Sequence, residues 1–149
     1  MFVLLHYLQQ QRRHIALPTT GRRGSLALRH VDAGSCNACE HELTATAGPH
    51  YDLERHGLQI VASPRHADVL LVTGTITTRM AGALRAAYDA MPEPRLVAAL
   101  GDCALGCSRI GSPAEHAPPL DQILPVHLRI PGCPPTPSVI AEQLLSLLA

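Results

Sequence analysis

Asp68-Val-Leu-Leu-Val-Thr73 is a nearly continuous apolar run, closed by Gly74. Runs of this kind belong to strands buried on both faces, as in a parallel sheet, rather than to the alternating strands of a half-solvated one. Outward from it lie four more short β-prone runs: Leu26-Ala-Leu-Arg-His-Val31 and Leu58-Gln-Ile-Val-Ala62 before it, Leu96-Val-Ala-Ala-Leu100 and His127-Leu-Arg-Ile130 after it. Helical patterns separate several of them. One runs from Cys36 to about Ala47. In a second, Met80, Leu84, Ala87, Tyr88 and Met91 fall at helical spacing on one face, and Pro92 and Pro94 stop it. A last helix should start at Thr136, as cap, with Pro137 at its first position, and face inward through Ile140, Leu144, Leu147 and Leu148. Strands alternating with helices predict an α/β fold around a parallel sheet.

The 149 residues are enough for a real core, and 46% are hydrophobic. Aromatics make up only 3%, so Leu, Val, Ile and Ala must build that core. Twelve basic residues balance twelve acidic ones, which gives no long-range pull toward nucleic acid or anionic lipid. Thirteen Pro and eleven Gly predict long ordered loops. The longest, Ala104 to Pro125, is Pro-rich with little periodicity, the kind of loop that is functional or held by a partner. Met1 to Leu8 is apolar but short and carries His6, and neither Arg12-Arg13 nor Arg22-Arg23 precedes a long apolar run. No stretch approaches the roughly 20 apolar residues of a spanning helix, so the expectation is a cytoplasmic chain held at any membrane by other subunits. Residues 1–24 read as an N-terminal extension that docks on a partner or frays, and residues 25–149 as the binding domain.

Placement of the five cysteines is the informative feature. Cys36 and Cys39 follow the first expected strand, Cys103 the fourth and Cys133 the fifth. Ligand sites of open parallel sheets gather at the carboxyl ends of the strands, so these positions should converge on one rim. Four thiolates there suit a [4Fe–4S] cluster. Gly34, Gly101 and Gly132 lie just before the ligands, letting the backbone approach a bulky group. A C-x-x-C alone is equally a mark of zinc ribbons and thiol oxidoreductases. A zinc site usually has two close ligand pairs. Pairing Cys36 with Cys39 and Cys103 with Cys107 would leave Cys133 over, so spacing favours the cluster while leaving zinc open.

Other residues carry weaker signals. His66 and Asp68, in Pro64-Arg-His-Ala-Asp68, are read as fixing a loop by hydrogen bonds rather than as ligands, and Arg65 as a surface residue. The nine His include no pair four apart that would suggest a helical zinc site. Neither G-x-x-x-x-G-K-[ST] nor G-x-G-x-x-G occurs, so neither nucleotide nor flavin binding is expected.

Asp32-Ala-Gly-Ser-Cys-Asn-Ala-Cys-Glu-His-Glu42 resembles the D-x-G-S-C-N-G-C-E-x-E signature of group 4, complex-I-like [NiFe] hydrogenase small subunits. Tyr51-Asp-Leu-Glu-Arg55, Ser63 to Gly74, Gly101-Asp-Cys-Ala104 and Pro131-Gly-Cys-Pro-Pro-Thr-Pro137 fit the same family, and the later motifs are shared with the 20-kDa subunit of NADH:quinone oxidoreductase. The resemblance runs from about residue 24 to the C-terminus. It implies a flavodoxin-like α/β fold and one [4Fe–4S] cluster on Cys36, Cys39, Cys103 and Cys133, with no catalytic residue on this chain. It also implies a large subunit carrying the Ni–Fe site, a further Fe–S subunit and membrane subunits reached indirectly, on the inner face of the cell membrane. The complex-I branch has adjacent cysteines in the first motif where this chain has C-x-x-C, which favours the hydrogenase side. A quinone-reducing or nickel-free relative is the alternative.

Two positions depart from the pattern. Ala38 stands where the family has glycine, and Ala104-Leu-Gly-Cys-Ser-Arg-Ile-Gly111 replaces a Gly-Gly-x-Phe turn. Cys107 then falls at about the first of those glycines. It is read as a spare thiol near the cluster, with exchange into the ligand set as the alternative. Glu42 matches the family's last Glu. A carboxylate beside a redox centre can couple electron and proton movement, or merely favour a helix N-terminus. Glu40 gets the same reading with less weight on function.

Overall fold

Each of the five apolar runs forms a strand: β1 (Leu26–Asp32), β2 (Leu58–Ile60), β3 (Val69–Thr73), β4 (Leu96–Leu100) and β5 (Leu128–Ile130). The computed structural model describes residues 24–108 and 111–148. The extension expected over residues 1–24 therefore lies, but for its last residue, outside the described residues.

All pairings are parallel, in the order β2-β1-β3-β4-β5, which is the flavodoxin-like doubly wound arrangement. β3 is central, and all five of its residues are fully buried, as its unbroken apolar pattern requires. The pleat splits them between two cores. Val69 and Leu71 join Leu26, Leu28, Ala98, Leu100 and Ile130 on one face. That face is covered by α1 (Ala38–Thr46) through Leu43 and by α4 (Pro137–Leu145) through Ile140 and Leu144. Leu70 and Val72 join Val31, Val97 and Ala99 on the other face, beneath α2 (Thr78–Asp89) through Leu84 and the single turn α3 (Leu120–Ile123) through Leu120. Burying side chains of this size contributes about 1.5–3 kcal/mol each relative to exposure.

Local signals set the helix ends. Thr77 caps α2, its hydroxyl accepting the Met80 amide at 3.3 Å. Thr136 holds the cap position of α4 with Pro137 first in the helix, but its hydroxyl meets the Ser138 hydroxyl (3.0 Å) rather than a helix amide. Leu147 and Leu148 lie past that helix, in a 3-10 turn (Ser146–Leu148) that still packs on the first core. The segment Ala104–Pro125 differs from the featureless loop expected. It contains a 3-10 turn (Pro113–Glu115) and α3, and it drives Ala104, Leu120 and Leu124 into the second core. Leu120, Ile123 and Leu124 do fall at helical spacing, but over a single turn between Pro119 and Pro125, too short to stand out as a period. The passage from β2 to β3 contains only a 3-10 turn, Pro64–His66.

Candidate metal centre

The four strand-end cysteines sit in loops that tertiary contacts tie together. After β1 the Asp32 carboxylate turns the chain: its Oδ1 accepts the amides of Gly34 and Ser35, both at 2.8 Å. Cys36 follows, exposed. Asn37, in the left-handed region at φ 68°, then admits α1, so Cys39 stands in that helix's first turn.

The loops after β4 and β5 are joined by one residue. The Asp102 amide donates to the Gly132 carbonyl (2.9 Å), and the Gly132 amide returns a bond to Asp102 Oδ1 (2.7 Å). This two-way clamp ties the loop that carries half-buried Cys103 to the loop that carries exposed Cys133. Gly101, at φ +87°, completes the contact between loops. A Cβ there would lie 2.6 Å from Cys39 Sγ, so only glycine lets the β4 loop meet the α1 cysteine.

Electrostatics link the other three candidate ligands to Cys39. The Cys39 thiol is pushed up to about 12, first by burial, then by Glu40, and then by Cys103, Cys36 and Cys133. Those three are the other cysteines the sequence selects, and Cys107 is not among the groups acting on Cys39. Cys107 is exposed, and its amide closes the turn after Cys103 by donating to the Asp102 carbonyl (2.9 Å). A thiol so raised keeps its proton at neutral pH and becomes a ligand when a metal displaces that proton. Among the described residues, no group of three His, Cys, Asp or Glu is gathered tightly enough to hold a single ion.

Beside Cys39 lies a polar chain of a kind the sequence does not announce. Thr73, at the end of β3, donates its hydroxyl proton to Glu40 Oε1. The carboxylate can only accept, and a hydroxyl has a single proton, so the Thr73 oxygen in turn accepts from His30 Nε2 (2.9 Å). His30 Nε2 also lies 3.8 Å from Glu40 Oε1. That distance would suit an ion pair, but burial, the leading effect, holds the imidazole below its usual value despite Glu40 and Asp32, with Arg29 acting in the same direction as burial. His30 is therefore neutral at pH 7 and does not cancel the Glu40 charge. Glu40 Oε2 is buried without a hydrogen-bond partner among the described residues. Thus Glu40, given less weight in the sequence than Glu42, is the carboxylate fixed next to Cys39.

Asp68 behaves as expected for a loop-fixing residue: its Oδ2 accepts the Ala27 amide, and its own amide donates to the Ala27 carbonyl, both at 2.8 Å. His66 and Arg65 are exposed in the turn before it. Sequence reasoning passed over Asp32 and Asp102 as individual residues. The available signal was an Asp two residues before a Gly-Ser, or directly before a Cys, in a loop, since such carboxylates accept nearby backbone amides.

Comparison with known proteins bears on this rim. Residues 36–147 match the model of the NADH ubiquinone oxidoreductase 20 Kd subunit family. The probable membrane-bound hydrogenase subunit mbhJ of Pyrococcus furiosus is 47% identical over 120 residues, 80% of this chain and 71% of that protein. Among solved structures, a chain of the membrane-bound sulfane sulfur reductase, an archaeal respiratory membrane complex, superposes with a TM-score of 0.71 at 26% identity, covering 93% of this chain and 76% of that one. A chain of an NAD+-reducing [NiFe]-hydrogenase gives a TM-score of 0.62 at 21% identity over 83% and 91%, a likeness of fold.

Proposed function

We propose, from the premise that the chain belongs to the NADH ubiquinone oxidoreductase 20-kDa subunit family of oxidoreductase complexes, that it is the electron-transfer small subunit of a complex-I-like [NiFe] hydrogenase, of the formate-hydrogenlyase or energy-converting type. The ligands of its [4Fe–4S] cluster would be Cys36, Cys39, Cys103 and Cys133. The observation that carries this reading is that Cys103, Cys36 and Cys133, from loops after three strands, all act on Cys39, in a set without histidine or carboxylate ligands. All-cysteine sets suit Fe–S clusters or zinc. Four sulfurs about a zinc ion, each at about 2.3 Å, would crowd together. A cluster of four irons and four sulfides instead keeps its four thiolates apart, as ligands drawn from three separate loops would be.

When bound, such a cluster supplies one-electron storage and transfer. The chain supplies the rest. Asp102 and Asp32 fix the loops, Gly101 lets them close, and the exposed sides of Cys36 and Cys133 leave the rim open to a partner. We assign that partner as a large subunit carrying the Ni–Fe site, with a further Fe–S subunit and membrane subunits beyond it. Among the described residues no helix is long and apolar enough to cross a membrane, so attachment at the inner face of the cell membrane would run through those subunits.

A second reading, a quinone-reducing subunit or a nickel-free relative, draws support from the family description itself. The two separate on the metal content of the complex, tagged on this chain and purified without oxygen. Nickel with iron and acid-labile sulfide is expected. Iron and sulfide without nickel would move the assignment to the second reading, and zinc without sulfide would sink both.

A further inference from the structure

We propose that the Glu40 carboxylate, tethered by Thr73 and backed by His30, is a fixed negative charge that holds the reduction potential of the cluster low. The inference rests on the cluster reading above and adds to it a residue that tunes the centre without being a ligand. Three observations converge. Glu40 directly follows Cys39, in the first turn of α1, so its carboxylate is held close to a candidate ligand. Its position is set by tertiary structure, since the Thr73 hydroxyl at the end of the central strand donates to it across 33 residues of sequence. Among the described residues the basic side chain within ion-pair distance is His30, 3.8 Å away, and burial holds it neutral, so it does not cancel the charge. The positive N-terminal end of α1 opposes it only in part.

Reduction adds one negative charge to a centre already surrounded by thiolates. A fixed carboxylate nearby therefore disfavours the reduced state, and charge and hydrogen bonding are the levers by which proteins set such potentials. Glu40 is a positioning residue here and touches no reacting atom.

The substitution Glu40→Gln separates charge from shape. Glutamine keeps an oxygen to accept the Thr73 hydroxyl, so a merely structural role predicts no change. The full-length chain, reconstituted with iron and sulfide without oxygen, is titrated with redox mediators and followed by the electron paramagnetic resonance of the reduced cluster. Iron and sulfide are measured first. E40Q is expected to keep both and to raise the midpoint, shifting the oxidised–reduced equilibrium about threefold to tenfold toward reduction, where tenfold is 59 mV for one electron. Glu40→Asp, which keeps the charge, should stay close to the parent. Thr73→Val, which keeps the charge but frees it, should shift in the direction of E40Q by less. An unchanged or lowered midpoint in E40Q with full iron overturns the proposal. If E40Q holds no iron, T73V decides in the same way: a raised midpoint supports the proposal and an unchanged one overturns it. A parent chain that takes up neither iron nor sulfide removes this proposal together with the cluster reading.

Discussion

The two ends of the sheet use the same device to different purposes. At the amino end, Asp68 brackets Ala27 with two bonds of 2.8 Å and locks β3 to β1. At the carboxyl end, Asp102 brackets Gly132 with bonds of 2.9 and 2.7 Å and locks the β4 loop to the β5 loop. In both cases an Asp exchanges two hydrogen bonds with one residue of a neighbouring segment. Only their surroundings differ. Around Asp68 are a buried Ala67 and a strand start, whereas around Asp102 are Gly101, Cys103 and Cys133. A clamp that merely stabilises at one end positions candidate ligands at the other.

That comparison can be broken or sharpened by substitution. The largest effect is expected at the cysteines. Cys36→Ala or Cys133→Ala should abolish cluster assembly, while Cys107→Ala should leave iron and sulfide at parental content. A full iron complement in either of the first two contradicts the ligand assignment.

Next comes Gly101→Ala. The left-handed backbone costs a non-glycine residue about 1–2 kcal/mol, and the added methyl would stand 2.6 Å from Cys39 Sγ. Lowered stability in urea and loss of bound iron should appear together. Retention of all the iron would show that the rim can open without harm.

The direct comparison pairs Asp102→Ala with Asp68→Ala. Each leaves a partly buried amide without its acceptor, at a cost of about 1–3 kcal/mol. Similar losses of stability are expected, but only D102A should also shed iron. Equal iron retention in the two would erase the distinction between the ends.

The smallest effect concerns pH. Burial lowers His30 below its ordinary value of 6.5. As pH falls, the unfolded chain therefore binds this proton before the folded chain does. The stability tied to neutral His30 is complete above about pH 6.5 and declines as pH falls from there toward the folded value. The urea midpoint should drop between pH 7.5 and pH 5.5 more steeply in the parent than in His30→Gln. Identical drops would mean that the other histidines account for all of it.

Much of this was legible in the sequence, because it depends on local pattern. An unbroken apolar run such as Val69–Thr73 can be satisfied only by burial on both faces, and alternating helices then supply the covers. Cysteines placed just after β1, β4 and β5 must come to the same rim once those strands are parallel. The loop from Ala104 to Pro125 was not legible in the same way. Leu120 and Leu124 bury from a single helical turn flanked by prolines, and one turn is too short for its period to be told from chance.

Sequence by itself therefore determined the sheet, its central strand, the rim and the four cysteines that stand out there. Tertiary structure alone decided what surrounds them. The resemblance of the first cysteine motif puts more weight on Glu42 than on Glu40. The structure fixes Glu40 instead, because the Thr73 hydroxyl and the His30 ring project from the sheet at that point. Asp102 likewise acquires its meaning from Gly132, thirty residues away. A local pattern records which face of a helix is apolar; it holds no record of a hydrogen-bond partner that arrives from another strand.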